Sequence, residues 1–568
     1  MDIEEIVAIG TESKMCPYYA TRSASAAADV VAVPYTAILA RSTREALGID
    51  LRGSVLILDE AHNAVDAVSG AHASEMTAKQ ARLASGCLAR YTERFASRLS
   101  AANRASLSVL LRAARALVAL MERNAVAAAK ETGVLIVEAG LDNVNFLRLA
   151  RFVSESKVLF KVSSFVERDA GALPTAGGGK AGPGGPRPPD LAERMAEALA
   201  ALQALVSFIV SLSVDSKDGR VLPLPAPAPT GGAPPASAPS HGANGLRFIL
   251  LNAASEFEAV VKAARAVVFA SGTLAPLESF RRQLFPSLPD ERVRSFSCGH
   301  VVPDHHLLGL CVGLGPTGVE LDFRSKGRSR PELVTGTAPL ISNIARVVPG
   351  GTVVFFPSFA FMEAAKAQWE AAGLLSRIVS GSRGGVFWEP RAGTALEGVL
   401  ADFAGAVKAH GAAVLMSVVG AKLSEGINFS DDLGRCVVVL GMPYPNPTDP
   451  EIVERMAYLD GAATESPPAR FTGRDYYESM CKRALNQSIG RVIRHRGDYA
   501  AVVLADARYQ RACEGAGSAL DGIPQWMRPR FRAARPFGEV VRSLGQFFKG
   551  FRGSAQPGSS ACDGPARP

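Results

Sequence analysis

Four apolar residues, Val55 to Leu58, run directly into Asp59-Glu60-Ala61-His62. Such a run predicts a buried strand, and open α/β sheets place ligand-binding residues at the carboxyl ends of their strands. Asp59 is suited to hold Mg²⁺, and Glu60 to orient or deprotonate a water that attacks a γ-phosphate. His62 would then lie close enough to sense that phosphate. A strand that simply ends in a solvent-exposed turn has the same residues, so the motif alone leaves both interpretations open.

A second group of polar residues lies near the other end of the chain, where residues 487 to 494 read Gln-Ser-Ile-Gly-Arg-Val-Ile-Arg. A helix would place Gln487, Arg491 and Arg494 on one face, because residues three and four apart are neighbours. Arginine forks suit a polyphosphate and can neutralise charge on a transferred phosphoryl group. Gly490 weakens such a helix by up to about 1 kcal/mol, a cost that a close backbone approach would explain. A solvated basic face is the alternative, but the acidic strand end favours a nucleotide site shared by two domains.

Several apolar segments between these motifs also end in small or polar residues. The segments are Ala266–Ala270 before Ser271-Gly272-Thr273, Gly351–Phe356 before a proline, Val414–Val419 before Ser424-Glu425-Gly426, and Cys436–Leu440. Taken alone, each segment could equally be an ordinary strand followed by a turn. Together they predict a parallel α/β fold with ligand residues at the strand ends.

In this order, the motifs resemble those of superfamily 2 helicases of the DEAH type. The resemblance is closest to the XPD-like iron–sulfur branch, and within it to the Chl-type DNA helicases of sister-chromatid cohesion. The segments that carry it are Cys16–Arg22, Pro34-Tyr35, the DEAH residues, Phe296–His300, Ser424–Asn428 and Asn486–His495. The similarity runs from about Met1 to about Gly545, with a gap in the linker region. It implies two RecA-like parallel-sheet motor domains, the first incomplete, with an inserted helical arch.

The resemblance also implies roles for individual residues. Asp59 and Glu60 match the magnesium and water-activating carboxylates, and His62 matches the coupling histidine. Ser271 and Thr273 match the motif that links hydrolysis to DNA movement, and Glu425 and Gly426 match the motif that touches nucleotide and strand. Gln487, Arg491 and Arg494 match the γ-phosphate-sensing helix, and Cys16 matches one ligand of a 4Fe-4S cluster. By resemblance, the chain belongs with nuclear, ATP-driven helicases that move 5′ to 3′ on single-stranded DNA. Forked DNA, cohesin and replication-fork proteins are the implied partners.

Two family features have no counterpart in this sequence. The phosphate-cradling loop, Gly-x-x-x-x-Gly-Lys-Ser/Thr, should precede Asp59, but the 58 residues there contain no Gly-Lys pair, and Gly179-Lys180 lies in a Pro/Gly-rich stretch. Three further cluster cysteines should precede Cys16, and Cys87 reads as a buried hydrophobe within a helix. We therefore expect Met1 to fall inside a longer reading frame, and the chain as written to bind ATP poorly and hold no intact cluster. A non-catalytic DNA- or cohesin-binding paralogue that lost its first motor half is the competing hypothesis.

Composition limits the kinds of partner and compartment that suit this chain. The net charge of +8 and the pI near 9.1 modestly suit a polyanionic partner. Eight irregularly spaced cysteines favour a reducing compartment over a disulfide framework. The amino terminus lacks the regions of a signal peptide, and the longest apolar stretch, about Leu199 to Val214, is shorter than the roughly 20 residues of a bilayer span. No membrane partner is expected.

The predicted domains follow from these motifs. We expect a partial first motor domain over residues 1–63, a helical arch with disordered Pro/Gly linkers over 64–245, a return to the first motor domain over 246–284, the second motor domain over 285–545, and a disordered tail over 546–568. Within the arch, the first strand signal comes at about Val134, and the two linkers span about 170–190 and 222–245. A strand from Leu246 begins the return to the first motor domain. Basic residues around Arg324 to Arg330 could contact DNA or line a solvated loop. Phe387 and Trp388 could stack on bases, although core packing explains them better.

Overall fold

The computed structural model describes residues 3–25, 27–123, 126–168, 191–214, 217–224, 244–272, 274, 277–300, 302–328, 330–391, 396–423, 429–465 and 471–552. The chain forms two compact units. Unit 1 comprises residues 1–270, 280–287 and 448–473, and unit 2 comprises residues 271–279, 288–447 and 474–568.

The β-strands are, in chain order, β1 (Val55–Leu58), β2 (Ser74–Thr77), β3 (Lys130–Glu131), β4 (Gly219–Leu224), β5 (Gly245–Leu250), β6 (Ala266–Phe269), β7 (Leu307–Val312), β8 (Gly350–Phe356), β9 (Val386–Trp388), β10 (Ala412–Val418), β11 (Cys436–Leu440), β12 (Ala500–Ala505) and β13 (Phe531–Ala533). The α-helices are α1 (Ile3–Glu12), α2 (Pro17–Ser25), α3 (Tyr35–Leu39), α4 (Arg41–Leu47), α5 (Ala64–His72), α6 (Ala78–Arg94), α7 (Ala101–Glu122), α8 (Thr132–Glu138), α9 (Phe146–Ser156), α10 (Val158–Arg168), α11 (Leu191–Ser211), α12 (Ala253–Ala263), α13 (Leu277–Leu284), α14 (Ser325–Arg328), α15 (Pro331–Val347), α16 (Phe359–Ala371), α17 (Leu375–Ser382), α18 (Leu396–His410), α19 (Pro450–Glu465), α20 (Gly473–Ile489), α21 (Ala507–Cys513) and α22 (Phe537–Arg552).

Unit 2 is built on a parallel sheet of seven strands in the order β13-β7-β12-β11-β8-β10-β9. All six neighbouring pairs are parallel. Every residue of β8, β10, β11 and β12 is buried, as expected where helices cover both faces of a parallel sheet. This confirms the predicted parallel-sheet α/β class.

The parallel sheet of unit 1 is small among the described residues. Strand β1 pairs with β6 in parallel, from Val55 opposite Ala266 to Leu58 opposite Phe269. The two strands end at the same edge, and there the Ala270 N–H donates to the Leu58 carbonyl at 2.9 Å. Phe269 packs against Phe280 and Phe285, which brings the segment after β6 back onto this sheet.

Between β1 and β6, unit 1 contains a helical insertion with its own antiparallel sheet. Four strands pair in the order β2-β5-β4-β3. Apolar faces of α6, α7, α9, α10 and α11 form one core with the inner face of this sheet. The predicted helical arch is therefore present, together with a sheet that the sequence analysis missed.

Several predicted boundaries differ from the structure. Strand β5 pairs with β2 and β4, so the segment from Leu246 belongs to the insertion, and β6 is the strand that returns to β1. Val134, where a strand was expected, lies in α8. Helix α22 continues through Arg552, beyond the tail boundary at residue 546, and residues 222–224, expected to be linker, lie in β4. The first predicted linker, residues 170–190, and residues 225–243 of the second lie outside the described residues.

Helix α11, Leu191–Ser211, includes most of the apolar stretch that the sequence suggested was too short to span a bilayer. By length and composition, the segment Ala192–Ser211 is the one helix in the described part of the chain that could cross a bilayer. It packs its buried face, including Leu205 and Phe208, in the core of the insertion.

Helix α19 belongs to unit 1, although it follows β11 in the chain. Glu454 lies 3.0 Å from the Arg220 guanidinium of β4, and Glu451 lies 3.1 Å from Arg247 of β5. The Tyr458 hydroxyl donates to Asp218 at 2.7 Å. These contacts fasten α19 to the antiparallel sheet.

Candidate active site

The acidic turn, Asp59 to His62, begins where β1 ends. Asp59 and Glu60 are exposed, whereas Leu58 before them is buried. Glu60 adopts a left-handed backbone conformation with φ 48° and ψ 42°, which is uncommon for a residue with a Cβ and recurs at functional sites. The Glu60 N–H donates to Asp59 Oδ1 at 2.9 Å, and the Ala61 N–H donates to the Ala270 carbonyl at 3.0 Å. The turn is therefore tied to the segment that follows β6.

His62 and Tyr35 contact the acidic turn. His62 is only 7% exposed, and its Nδ1 lies 3.3 Å from Glu60 Oε2. The Tyr35 hydroxyl donates to the Asp59 backbone carbonyl. Burial raises the pKa of Tyr35, and the Asp59 and Glu60 carboxylates raise it further. Tyr35 therefore stays protonated and remains a donor to the turn.

The donors of the acidic turn fit a hard divalent cation. Mg²⁺ prefers carboxylate and water oxygens and is usually held by one or two carboxylates together with substrate phosphates. Asp59 and Glu60 offer adjacent, exposed carboxylates at the carboxyl end of a strand.

The glutamine and the two arginines do not share one helix. Helix α20 ends at Ile489, so Gln487 lies in its last turn, and Gly490 begins a turn. Arg491 is partly exposed in that turn, and Arg494 is exposed in the loop beyond it. The predicted helical stripe is therefore wrong. Glycine weakens helices and commonly marks their ends, which accounts for the early stop.

The remaining predicted residues are only partly described. Ser271 directly follows Ala270 and is partly buried. Thr273, Glu425 and Gly426 lie outside the described residues. Asp59, Glu60 and His62 belong to unit 1, whereas Gln487, Arg491 and Arg494 belong to unit 2.

The cysteines of unit 1 do not fit a four-thiolate cluster by themselves. Cys16 is exposed just before α2, and Cys87 is fully buried within α6. These are the two cysteines that the sequence contributes to unit 1. Burial raises the pKa of Cys87, which disfavours the thiolate that a metal ligand needs.

Three of the candidate DNA-contact residues of unit 2, Arg324, Phe387 and Trp388, make contacts within the protein. Arg324 donates two hydrogen bonds to the Asp322 carboxylate, both at 2.8 Å. Phe387 packs edge-on against Phe403, and Trp388 packs against the aromatic core. Core packing thus explains both aromatic residues.

Comparison with known proteins identifies the family. The chain is 32% identical to the "ATP-dependent DNA helicase chl1" of Aspergillus clavatus, over 96% of this chain and 73% of that protein. The chain belongs to the DDX11/CHL1 family of helicases.

Other members of the DDX11/CHL1 family extend this relationship. The "ATP-dependent DNA helicase DDX11" of Danio rerio is 36% identical over 96% of this chain, and the "ATP-dependent DNA helicase chl1" of Schizosaccharomyces pombe is 32% identical over 97%. The chain spans 64% and 63% of these two proteins, less than two thirds of their length. Family models for a DEAD_2 region and for a helicase C-terminal domain match residues 1–81 and 341–530.

A solved XPD helicase structure has the same fold. The TM-score is 0.50 at 17% sequence identity, covering 94% of this chain and 78% of that one. This agrees with two RecA-like domains and an inserted arch.

Sequence reasoning missed a buried carboxylate in unit 2. Glu389 follows β9 and is only 4% exposed. It accepts hydrogen bonds from the Ser417 hydroxyl at 2.7 Å and from the N–H groups of Val418 at 3.0 Å and Leu423 at 3.1 Å. Leu423 immediately precedes the predicted Ser424–Asn428 motif. The sequence did contain a signal for Glu389, because an acidic residue directly after an apolar strand is the same pattern that indicated Asp59.

Proposed function

We propose that the complete protein containing this chain is an ATP-dependent DNA helicase, in which the acidic turn and the arginine segment act on one ATP molecule. Its curated relatives are named ATP-dependent DNA helicases. The observation that carries the proposal is that every predicted catalytic residue is present and that the acidic turn stands at the carboxyl end of paired parallel strands. That is where open α/β sheets bind ligands.

Each half of this site has a distinct role. Asp59 would hold Mg²⁺, which would supply positive charge at the phosphates, and Glu60 orients and deprotonates the attacking water. His62, held by Glu60, responds to the γ-phosphate. Arg491 and Arg494 supply positive charge to the transferred phosphoryl group, and Gln487 contacts the nucleotide.

Coupling to DNA follows from the remaining motifs. Ser271 and Thr273 link hydrolysis to strand movement, and Glu425 and Gly426 touch both nucleotide and strand. The protein moves 5′ to 3′ on single-stranded DNA and unwinds forked duplexes. It works in the nucleus, with cohesin and replication-fork proteins as partners, and its complete form carries a 4Fe-4S cluster to which Cys16 contributes one ligand.

The test uses the complete reading frame that contains this chain. Purified protein should hydrolyse ATP faster when single-stranded DNA is added, and should unwind a duplex with a 5′ tail but not one with a 3′ tail. Cluster content is read separately from iron and sulfide analysis and the visible absorption spectrum.

Two outcomes would redirect the proposal. DNA binding without ATP hydrolysis, in protein shown to be folded, would instead support a non-catalytic DNA-binding paralogue. Hydrolysis with preference for the 3′-tailed substrate would keep the motor but overturn its direction.

A further inference from the structure

The loop that carries the arginines is exposed at its tip but anchored at its base. This arginine loop, residues 490–499, joins the end of α20 to the start of β12. Arg494, His495 and Arg496 are exposed, whereas Asp498, just before β12, is fully buried. An exposed arginine side chain has many rotamers, so its placement depends on what fixes the loop.

The Asp498 carboxylate organises the loop. Its Oδ1 accepts hydrogen bonds from Arg435 Nη1 at 2.8 Å and from the Tyr499 N–H at 2.9 Å, and its Oδ2 accepts from the Arg494 N–H at 3.3 Å. The Asp498 N–H donates back to the His495 carbonyl at 3.0 Å. The backbone of Arg494 is therefore bound directly to a buried carboxylate.

Arg435 anchors that carboxylate to the sheet. It directly precedes β11, is 6% exposed, and also contacts Asp432. Its guanidinium lies 3.9 Å from the Tyr499 ring centroid, and it donates to the Tyr499 carbonyl at 3.1 Å. Tyr499 stacks in turn on Phe551 of α22, with centroids 4.0 Å apart. The planar guanidinium of Arg435 thus holds Asp498 through Nη1 and Asp432 through Nε and Nη2.

We infer that Asp498 and Arg435 are positioning residues for the arginine loop: they hold Arg494, and through it the loop tip, in the geometry needed for phosphoryl transfer. This inference rests on the proposed ATPase function. Neither residue needs to touch nucleotide. Their role predicts a loss of turnover, because a shift of about 1 Å in a charge-stabilising group can cost about a hundredfold in rate.

The test compares two buried aspartates at opposite ends of β12. In the complete protein, Asp498→Asn should lower kcat for DNA-stimulated ATP hydrolysis about 10- to 100-fold, with KM for ATP and affinity for single-stranded DNA within about threefold of wild type. Asp506→Asn is the matched control, because Asp506 is also fully buried and pairs with Arg508 at 2.8 Å. It should lower the melting temperature while leaving kcat nearly unchanged.

A double-mutant cycle separates positioning from general damage. In an Arg494→Ala background, Asp498→Asn should have little further effect on kcat, because the group that it positions is gone. Equal fold-losses in both backgrounds, or an unchanged kcat in the single variant, would overturn the inference.

If Asp498→Asn fails to fold, Arg435→Lys keeps the positive charge without the fork and should show the same split between kcat and KM, with a smaller loss. Should Arg494→Ala itself leave hydrolysis intact, the proposed ATP site is wrong; should it lower hydrolysis while Asp498→Asn does not, only the positioning role fails.

Discussion

The two parallel sheets are built from similar strands but differ in how well they are covered. In unit 2, β11 and β12 are buried along their whole length. In unit 1, Val55 and Ile57 of β1 are 54% and 65% exposed, and Val268 of β6 is 45% exposed. Each strand is a run of apolar residues, so the difference comes from the number of neighbouring strands and helices and not from the strands themselves.

The two groups of predicted catalytic residues differ in how firmly the surrounding structure holds them. The arginine loop is anchored by a buried ion pair on a seven-stranded sheet. The acidic turn rests, among the described residues, on two strands, a Tyr35 hydroxyl and one buried histidine. We therefore expect perturbations of the two scaffolds to differ in size.

The largest effect should follow removal of an arginine from the well-anchored half. Arg494→Ala in the complete protein should lower kcat for ATP hydrolysis by about a thousandfold or more, because an arginine finger is worth roughly 10³–10⁵. Binding to single-stranded DNA without nucleotide should change little. Arg496→Ala, which removes an exposed arginine two residues away, is the control and should retain activity. Equal losses of hydrolysis and DNA binding would make Arg494 a DNA contact instead.

The corresponding change in unit 1 is Glu60→Gln. It keeps the shape of the side chain but removes the base, so turnover should fall about 10²- to 10⁴-fold while ATP affinity stays near wild type. Single-turnover hydrolysis and equilibrium binding of a fluorescent ATP analogue measure the two quantities. Near-normal hydrolysis would show that Glu60 is not the base. Glu45→Gln, at an exposed glutamate of α4, is the control.

A stability comparison tests coverage directly. Leu504→Ala in β12 removes a fully buried side chain and should destabilise unit 2 by about 2–5 kcal/mol. Ile57→Ala in β1 should cost within about 0.5 kcal/mol in this chain, because the residue is largely exposed. Hydrogen exchange of the sheet amides reports each unit separately. A cost for Ile57→Ala that rises above 2 kcal/mol in the complete protein would mean that further sequence covers β1 there.

The smallest effect concerns two matched ion pairs. Arg324 holds the pKa of Asp322 at about 2, below its ordinary 3.8, and Arg52 lowers the pKa of Asp50. The Asp322 side chain is 15% exposed and that of Asp50 is 58% exposed, so water screens the second pair more. Arg324→Ala should therefore raise the pKa of Asp322 more than Arg52→Ala raises that of Asp50, as carboxyl titration by NMR would measure. The stabilisation from the Asp322 pair is present above about pH 3.8 and is lost as the pH falls towards 2. A larger shift at Asp50 would contradict the role of exposure.

The local sequence predicted where strands lie better than it predicted which strands pair. Strand β11 has the expected bounds, Cys436 to Leu440, and β1 ends at the expected Leu58. The strand near Leu246 was also expected, but its pairing with β2 and β4 was not, because pairing depends on residues far along the chain.

The site was predicted by residue type and only partly by geometry. Asp59 and Glu60 stand at a strand end as expected, whereas the helix ends before Arg491. Asp498 was missed because its importance lies in a buried pair with Arg435, 63 residues away in sequence. Burial decides whether such an aspartate is a solvated charge or an anchor, and burial is a property of the fold.

Helix α19 has a practical consequence for anyone dividing the molecule. Its neighbours in the chain, β11 and most of α20, lie in unit 2. Its ion pairs and the Tyr458 hydrogen bond are made within unit 1. No single division point in the chain gives both units intact. Expressing residues 288–552 alone would carry along a helix stripped of its packing partners, and replacing residues 448–473 with a flexible link is the sounder design.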